Sequence, residues 1–356
     1  MLAFRYIAYH YLKYFSIILG ALVLFMVGFD YMGNIDSLPK SANLLVIYLV
    51  YKSFFAIDMI LPMALVFAMI STKIYLIRSN ALVSFFSLGY SRMDVLRPFM
   101  VVSTFIIMLF IGLHTSSSFA HANEFASNIR QNSQYLSPTR DLFFTYKGQF
   151  VYFSKMIPLQ QRAENIRLFS VKKGSLKEVL IAKLAIYRDD SWYINHADII
   201  TKPDDLTSTS HGIEVSEGEG LKILHGFKPK ILDQVYEGRV DFTIGDALDA
   251  IFILDEQNIN TSTIKGALYK IFIYPFFAPL LIIIIFFFVP MSVRFLNVSL
   301  FSFGAILSTL LIWALLFVLM KLSDTKTIPS EIGIILPIVL LFFIALRQYR
   351  YYKDRA

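Results

Sequence analysis

The sequence predicts an α-helical membrane protein of six transmembrane helices with an inserted all-β domain. Six apolar runs approach or exceed the ~20 residues that a bilayer-crossing helix needs. Only 17% of the 356 residues are charged, against about 25% in an average soluble domain, and 56% are hydrophobic, with 34 Phe and 20 Tyr. From His121 to about Asn260 the character changes, and apolar runs shorten to three to six residues. Turn signals there recur at about 8–12 residues, the rhythm of a sandwich or barrel. About 140 residues suffice for one such core. The expected organisation is 1–120 for helices one to three, 121–262 for the β domain, and 263–356 for helices four to six with a basic tail.

Span one is expected at about Tyr14–Tyr31, ended by Gly33-Asn34. Arg5 and Lys13 ahead of it look like the start of a signal peptide. The run is longer than an h-region of about 7–15 residues, and no small-x-small cleavage site follows, so it reads as a retained span. Span two lies within Leu44–Ile77. Lys52 and Asp58 occupy its first half, so its membrane part is placed after Ala56. Pro62 is expected to kink it, which neighbouring helices accommodate. Span three follows at about Val95–Leu113, with Pro98 in its first turn and His114–Ser118 at its exit.

The link between spans two and three, Arg78–Asp94, is longer than a turn needs. About four residues would reverse the chain. Here Ala81–Leu88 reads as a half-polar helix, closed by Gly89-Tyr90-Ser91 and flanked by Arg78, Arg92 and Arg97.

In the middle region, strands are expected at Phe150–Ser154, Ile166–Val171, Val179–Tyr187 and Trp192–Ile194. Turns are expected at Lys147-Gly148, Lys172–Ser175, Asp189-Asp190, Pro203–Asp205, Gly218-x-Gly220 and Gly226. Ile244–Leu254 reads as a short helix capped by Thr243. Span four is about Ile264–Val289, with Pro275 and Pro279; span five about Val298–Met320; span six about Ile332–Leu346. Their loops are Pro290–Asn297, with Arg294, and Lys321–Ser330. A basic tail, Arg347–Arg355, follows.

The net charge of +7 suggests nucleic acid until it is mapped. Residues 121–262 carry 16 Lys and Arg against 19 Asp and Glu, and the rest carries 17 against 7. Basic residues confined to the ends of apolar runs are membrane anchors, so nucleic acid is not an expected partner. Arg5, Lys13, Lys73, Arg78, Arg92, Arg97, Arg294, Arg347, Arg350, Lys353 and Arg355 fall on one side of the six spans. Lys40, Lys52, Lys321 and Lys326 fall on the other. The positive-inside rule places the first group in the cytoplasm. Both termini and the 78–94 segment are then cytoplasmic, and the β domain lies outside.

No phosphate-binding loop, H-E-x-x-H or G-x-S-x-G motif occurs. The absence of cysteine excludes disulfides and thiolate metal sites. His114 and His121, seven residues apart, share a helical face if the helix continues; an interfacial polar pair is favoured over a metal pair. No cofactor and no metal are expected. The span centres are nearly uncharged, which argues against a proton-coupled pump and suits a path for something apolar. Energy must then come from another subunit. Lys40, Lys52, Lys321 and Lys326 suit ordinary interfacial anchoring or contact with the phosphates of a lipid headgroup. A membrane-anchored sensor or scaffold with a ligand-binding β domain is the alternative class. An intramembrane enzyme lacks the required constellation of groups.

Several motifs carry a resemblance by their order. Ile60-Leu-Pro-Met-Ala-Leu65 is followed by Arg78-Ser79 and Gly89-Tyr-Ser-Arg92, then by Lys270, Pro275 and Pro279, then by Ile328-Pro329, Ile332-Gly333 and Leu336-Pro337. Together they resemble the LptF/LptG (YjgP/YjgQ) lipopolysaccharide export permeases, and the last group looks more like LptG. The family's coupling helix carries a glutamate; the matching position here is Asn80 or Ala81.

The resemblance implies a non-catalytic permease subunit of an ABC-type exporter in the inner membrane of a Gram-negative bacterium. Its partners would be a cytoplasmic LptB-like ATPase dimer, a homologous LptF-like permease in a heterodimer, and LptC- and LptA-like periplasmic jellyroll proteins. Lipopolysaccharide would be extracted from the membrane and passed to the inserted domain, itself jellyroll-like, and onward along a bridge to the outer membrane. Arg78, Ser79, Asn80, Ala81, Gly89, Ser91 and Arg92 would couple to the ATPase. Phe25, Phe29, Phe301, Ile312 and Phe317 of spans one and five would line the gate, with Lys40, Lys52, Lys321 and Lys326 near the headgroup.

Overall fold

The computed structural model describes residues 2–130, 139–146, 148–157, 161–172, 175–203, 212–227, 243–255, 262–288 and 298–353. Among them are six helices long and apolar enough to cross a membrane, with an antiparallel sheet inserted between the third and fourth. Two compact units result: residues 1–130, 243–245 and 265–356, and residues 131–242 and 246–264. Lys147, the middle of Lys172–Ser175, most of Pro203–Asp205, the Pro290–Asn297 loop with Arg294, and Arg355 lie outside the described residues.

The helical unit begins with α1, Leu2–Asn34, which starts well before the expected Tyr14. Ala3, Ile7, Tyr11 and Phe15 are buried at i, i+4 spacing, whereas Arg5 and Lys13 are exposed. One apolar stripe therefore carries the helix through residues whose charges resemble a flank. At ~1.5 Å per residue the helix is about 50 Å long, against a hydrocarbon core of about 30 Å. After a 3₁₀ turn at Ile35–Ser37 comes α2, Ala42–Arg78, which stays helical across Pro62. Proline has no N–H, so the Asp58 carbonyl four residues earlier loses its ladder donor. Then follow α3, Ala81–Ser87; α4, Arg92–Leu113; and the short α5, Ser117–Ala120, and α6, Ala122–Arg130.

Ile244–Asp255 forms α7, in the place expected for a short helix. Span four is discontinuous. It consists of α8, Ser262–Phe272, a 3₁₀ turn at Tyr274–Phe276 with Pro275 in its first turn, and α9, Phe277–Phe288. Span five is α10, Val298–Asp324. Span six opens with a π turn at Glu331–Ile335 and continues as α11, Leu336–Lys353, so much of the expected basic tail is helical. Tyr11, Leu65, Met69, Phe99, Phe277 and Ile282 lie in one buried core.

Among its described residues the second unit holds six strands in sequence order, each antiparallel to the next. They are β1, Thr139–Tyr146; β2, Gln149–Ile157; β3, Arg162–Lys172; β4, Ser175–Arg188; β5, Ser191–Thr201; and β6, Glu214–Ile223. The four expected strands fall within β2 to β5. Asp189 and Asp190 make a two-residue hairpin with φ of 47° and 58°, the left-handed pair that such a turn requires. The turn expected at Gly218-x-Gly220 is instead part of β6. A Cβ on Gly218 would lie 2.8 Å from Leu221 Cδ1 and 3.1 Å from Ile199 Cδ1, so this glycine permits close packing inside the sheet. The core of the unit centres on Trp192 and Phe153, whose rings are 5.3 Å apart. Trp192 Nε1 donates to the Phe227 carbonyl at 2.9 Å.

Spans five and six approach closely at Gly333, where an added Cβ would lie 2.9 Å from both the Leu319 carbonyl oxygen and Ser323 Cβ. Gly333→Ala is expected to cost about 1–3 kcal/mol through overpacking, read as a lower thermal midpoint of the detergent-solubilised protein. Gly304 is the control, because a Cβ added there would meet no other atom within 4 Å. Gly304→Ala should stay within about 0.5 kcal/mol of the parent. Equal midpoints for the two variants would refute the close approach.

Candidate functional site

The segment between α2 and α4 is built as a short arm held at both ends. Asn80 takes a left-handed conformation, φ 55°, which turns the chain out of α2 and into α3. Asn tolerates this region better than most side chains. Leu82 is 1% exposed, and Phe85 and Phe86 pack on the same core. The opposite face carries Val83, Ser84, Ser87 and, just past the helix, Leu88; Val83, Ser87 and Leu88 are exposed. Leu88 is 74% exposed, and Asn80 and Arg78 stand beside this face. Ala81 is half-buried against the core. The outward surface of α3 is thus apolar and hydroxyl-bearing, without a carboxylate.

The arm ends on Gly89, whose φ of 85° favours glycine. Ser91 then starts α4 with a capping box. Ser91 Oγ accepts from the Asp94 N–H at 3.2 Å, and the Ser91 N–H donates to Asp94 Oδ2 at 3.1 Å. These reciprocal bonds satisfy donors that a helix start leaves orphaned. Arg97 is exposed and pairs with Asp94 at 3.0 Å. Arg92, expected as a docking residue, is half-buried, with its guanidinium 5.5 Å from the centre of the Tyr352 ring. Tyr6 of α1 reaches the arm, its ring 6.0 Å from that of Phe85.

At the other end of the bundle the structure assembles charges that lie far apart in sequence. Asp58 Oδ1 and His114 Nε2 are 3.0 Å apart, and His114 Nδ1 is 3.1 Å from the Phe110 carbonyl. Both ring nitrogens of His114 therefore have an oxygen within hydrogen-bond distance. Asp58 also lines a cavity of about 100 Å³ with Lys270, Tyr274, Pro275, Phe317 and Lys321. Pro62 of α2 and the Tyr274-Pro275 break in span four therefore line the same largely apolar cavity. Among these residues only Lys321 and Phe317 are site candidates on the sequence alone. The signals that could have found the others are Pro62 four residues after Asp58, and Lys270 just ahead of Pro275.

The remaining candidates divide by surroundings. Lys52 is engaged internally: its ammonium is 3.1 Å from Asp30 Oδ1, Tyr48 donates to the other Asp30 oxygen, and the lysine side chain is 11% exposed. Arg130 Nη1 donates to Asn34 Oδ1 at 2.8 Å, tying α6 to the end of α1. Lys40 and Lys326 are exposed, and Lys321 pairs with Asp324 at 3.2 Å. Phe25 and Phe29 touch each other at 4.5 Å and are each 64% exposed. Phe301, Ile312 and Phe317 are half-buried against the core. His121 is 3.4 Å from Glu124 Oε2, and no group of three metal-ligating side chains occurs among the described residues.

Removing one member of the Asp58–His114 pair is expected to destabilise the bundle by about 3–5 kcal/mol, because the survivor stays buried without its partner. Asp58→Asn and His114→Gln, singly and together, should show non-additive losses of about 0.5–3 kcal/mol in thermal unfolding. Strict additivity would show that the two side chains do not act as a pair.

No curated protein matches the chain. The sequence does match the family of the lipopolysaccharide export system permease LptF/LptG, over residues 5–351. That match takes in all six spans, the Arg78–Asp94 arm and the inserted sheet, and the chain belongs to the LptF/LptG family of lipopolysaccharide export permeases.

Proposed function

We propose that this permease of lipopolysaccharide export is driven in trans by an ABC-type ATPase that docks on the Arg78–Asp94 arm from the cytoplasm. The single observation that carries the reading is the outward face of α3. Its apolar side chains are exposed, with Val83 at 44% and Leu88 at 74%, while its inner face is anchored to the bundle. A short amphipathic helix held on a folded core suits insertion into an apolar groove of a partner. Because neither Asn80 nor Ala81 is acidic, docking rests on shape and on Arg78 rather than on a carboxylate.

The orientation follows from charge. The basic residues at the ends of the spans gather on the side of this arm, which the positive-inside rule assigns to the cytoplasm of the inner membrane. Residues 121–262 are then periplasmic. Lipopolysaccharide leaves the membrane between this subunit and a second, LptF-like permease, and passes along edge-paired jellyroll domains of LptC- and LptA-like partners. The run Ile328-Pro329, Gly333 and Leu336-Pro337 favours the LptG-like over the LptF-like member. The long apolar faces of spans one and five, including Phe25 and Phe29, are left open by this chain alone and suit the second permease and the acyl chains. Lys40 and Lys326 are exposed cations placed to meet headgroup phosphates.

Replacing both apolar anchors, Val83→Glu with Leu88→Glu, is expected to weaken ATPase association by about 2–4 kcal/mol. The readout is co-purification of the ATPase in mild detergent. Gly89→Pro forces φ to about −65° where the chain uses 85°, and export of lipopolysaccharide should be lost while the spans still fold. Wild-type export in both variants would remove the arm from the transmission path.

A further inference from the structure

The two ends of the arm close on one pair of adjacent side chains. Ahead of the arm, Lys73 of α2 is 3% exposed. Its ammonium donates to the Phe286 carbonyl and stands 3.8 Å from the centre of the Phe286 ring. Behind the arm, Arg92 of α4 stands over Tyr352 of α11. The Tyr352 ring lies flat on Phe287, with centroids 4.6 Å apart and planes within 6°. Phe286 and Phe287 meet edge to face at 5.4 Å.

Each contact has a physical reason. Phe286 lies in the last turn of α9, where carbonyls lack ladder donors. A buried ammonium satisfies one of them and sits at the negative end of the helix dipole. Aromatic faces attract cations, more strongly when water is excluded. A planar guanidinium stacks on a ring better than an ammonium does. Lys73 and Arg92 therefore face inward, and the helices on both sides of the arm are tied to the ends of spans four and six at one point.

We propose that this stack, Lys73–Phe286–Phe287–Tyr352–Arg92, is the clamp that carries displacement of the arm to spans four and six, with Tyr352 as a positioning residue. This rests on the reading that an ATPase pushes on the arm. Asn80 and Gly89, both at positive φ, are the turns at the two ends of α3, whose buried Leu82 ties it to the bundle. Lys73 and Arg92 lie outside those two turns and receive the load when the arm is displaced. Loss of the Tyr352 ring disconnects Arg92 from Phe287 without touching the outward face of α3.

The test uses the full exporter reconstituted in vesicles with its ATPase, with lipopolysaccharide as the transported probe. Tyr352→Leu is expected to lower lipopolysaccharide moved per ATP hydrolysed about tenfold, the size of one partly buried cation–aromatic contact. Hydrolysis itself should stay within about twofold, since chemistry belongs to the partner. Tyr352→Phe keeps the ring and should restore the ratio. Arg92→Gln should lower it in the same way, and the double variant should be no worse than either single one. An unchanged ratio in Tyr352→Leu, or additive losses, overturns the clamp. If the Val83 and Leu88 variants bind and couple normally while Tyr352→Leu fails, the apolar face of α3 is not the docking surface, and the clamp stands on load applied elsewhere on the arm. If they fail while Tyr352→Leu behaves as wild type, only the clamp falls.

Discussion

A membrane interior offers no water to polar groups, and the architecture of the helical unit follows from that constraint. Among the described residues, charges drawn into the bundle find partners on other helices. Asp30 of α1 holds Lys52 of α2, and Asp58 of α2 holds His114 at the end of α4. Lys73 of α2 holds a carbonyl in the last turn of α9. These pairs do more than neutralise charge. Each fixes α2 against a different neighbour, so the second span serves as the post to which the first, third and fourth are fastened. The discontinuity in span four obeys the same rule. Its 3₁₀ turn at Tyr274–Phe276 occurs where Asp58, Lys270 and Lys321 line a small cavity.

The same constraint separates anchoring cations from exposed ones. At the basic end, Lys73 and Arg92 are turned into aromatic contacts, while Arg78 and Arg97 remain outside. The exposed surface of the arm is then chiefly the apolar and hydroxyl face of α3. The stacked side chains at the two ends of the arm connect it to spans two, three, four and six. Spans one and five keep long uncovered apolar faces.

Legibility in the sequence varied with the kind of signal. Six spans and an all-β insert could be read because both depend on local pattern: uninterrupted apolar runs in one case, short runs with turns in the other. Asp189-Asp190 announced a hairpin by residue type alone. The start of α1 was obscured because Arg5 and Lys13 look like flanking charge, although Ala3, Ile7, Tyr11 and Phe15 form a buried stripe. In β6, glycines at 218 and 220 read as a turn, whereas in the sheet Gly218 makes room for Leu221 and Ile199. β1 and β6 are less apolar than the central strands, so local pattern does not separate them from loops.

Composition and periodicity determined the membrane class, the number of spans, the inserted sheet and the existence of the Arg78–Asp94 arm. All of these follow from interactions within a few residues along the chain. Partnerships between distant residues were decided only by the tertiary structure. Asp58 meets His114 across 56 positions, and Lys73 meets Phe286 across 213. No local pattern encodes such pairs, because they arise when packed helices bring desolvated charges within reach of the nearest group that can satisfy them. For that reason Lys52 and Arg92 read in the sequence as cations available to a ligand or a partner, and in the folded chain they are part of what holds the bundle together.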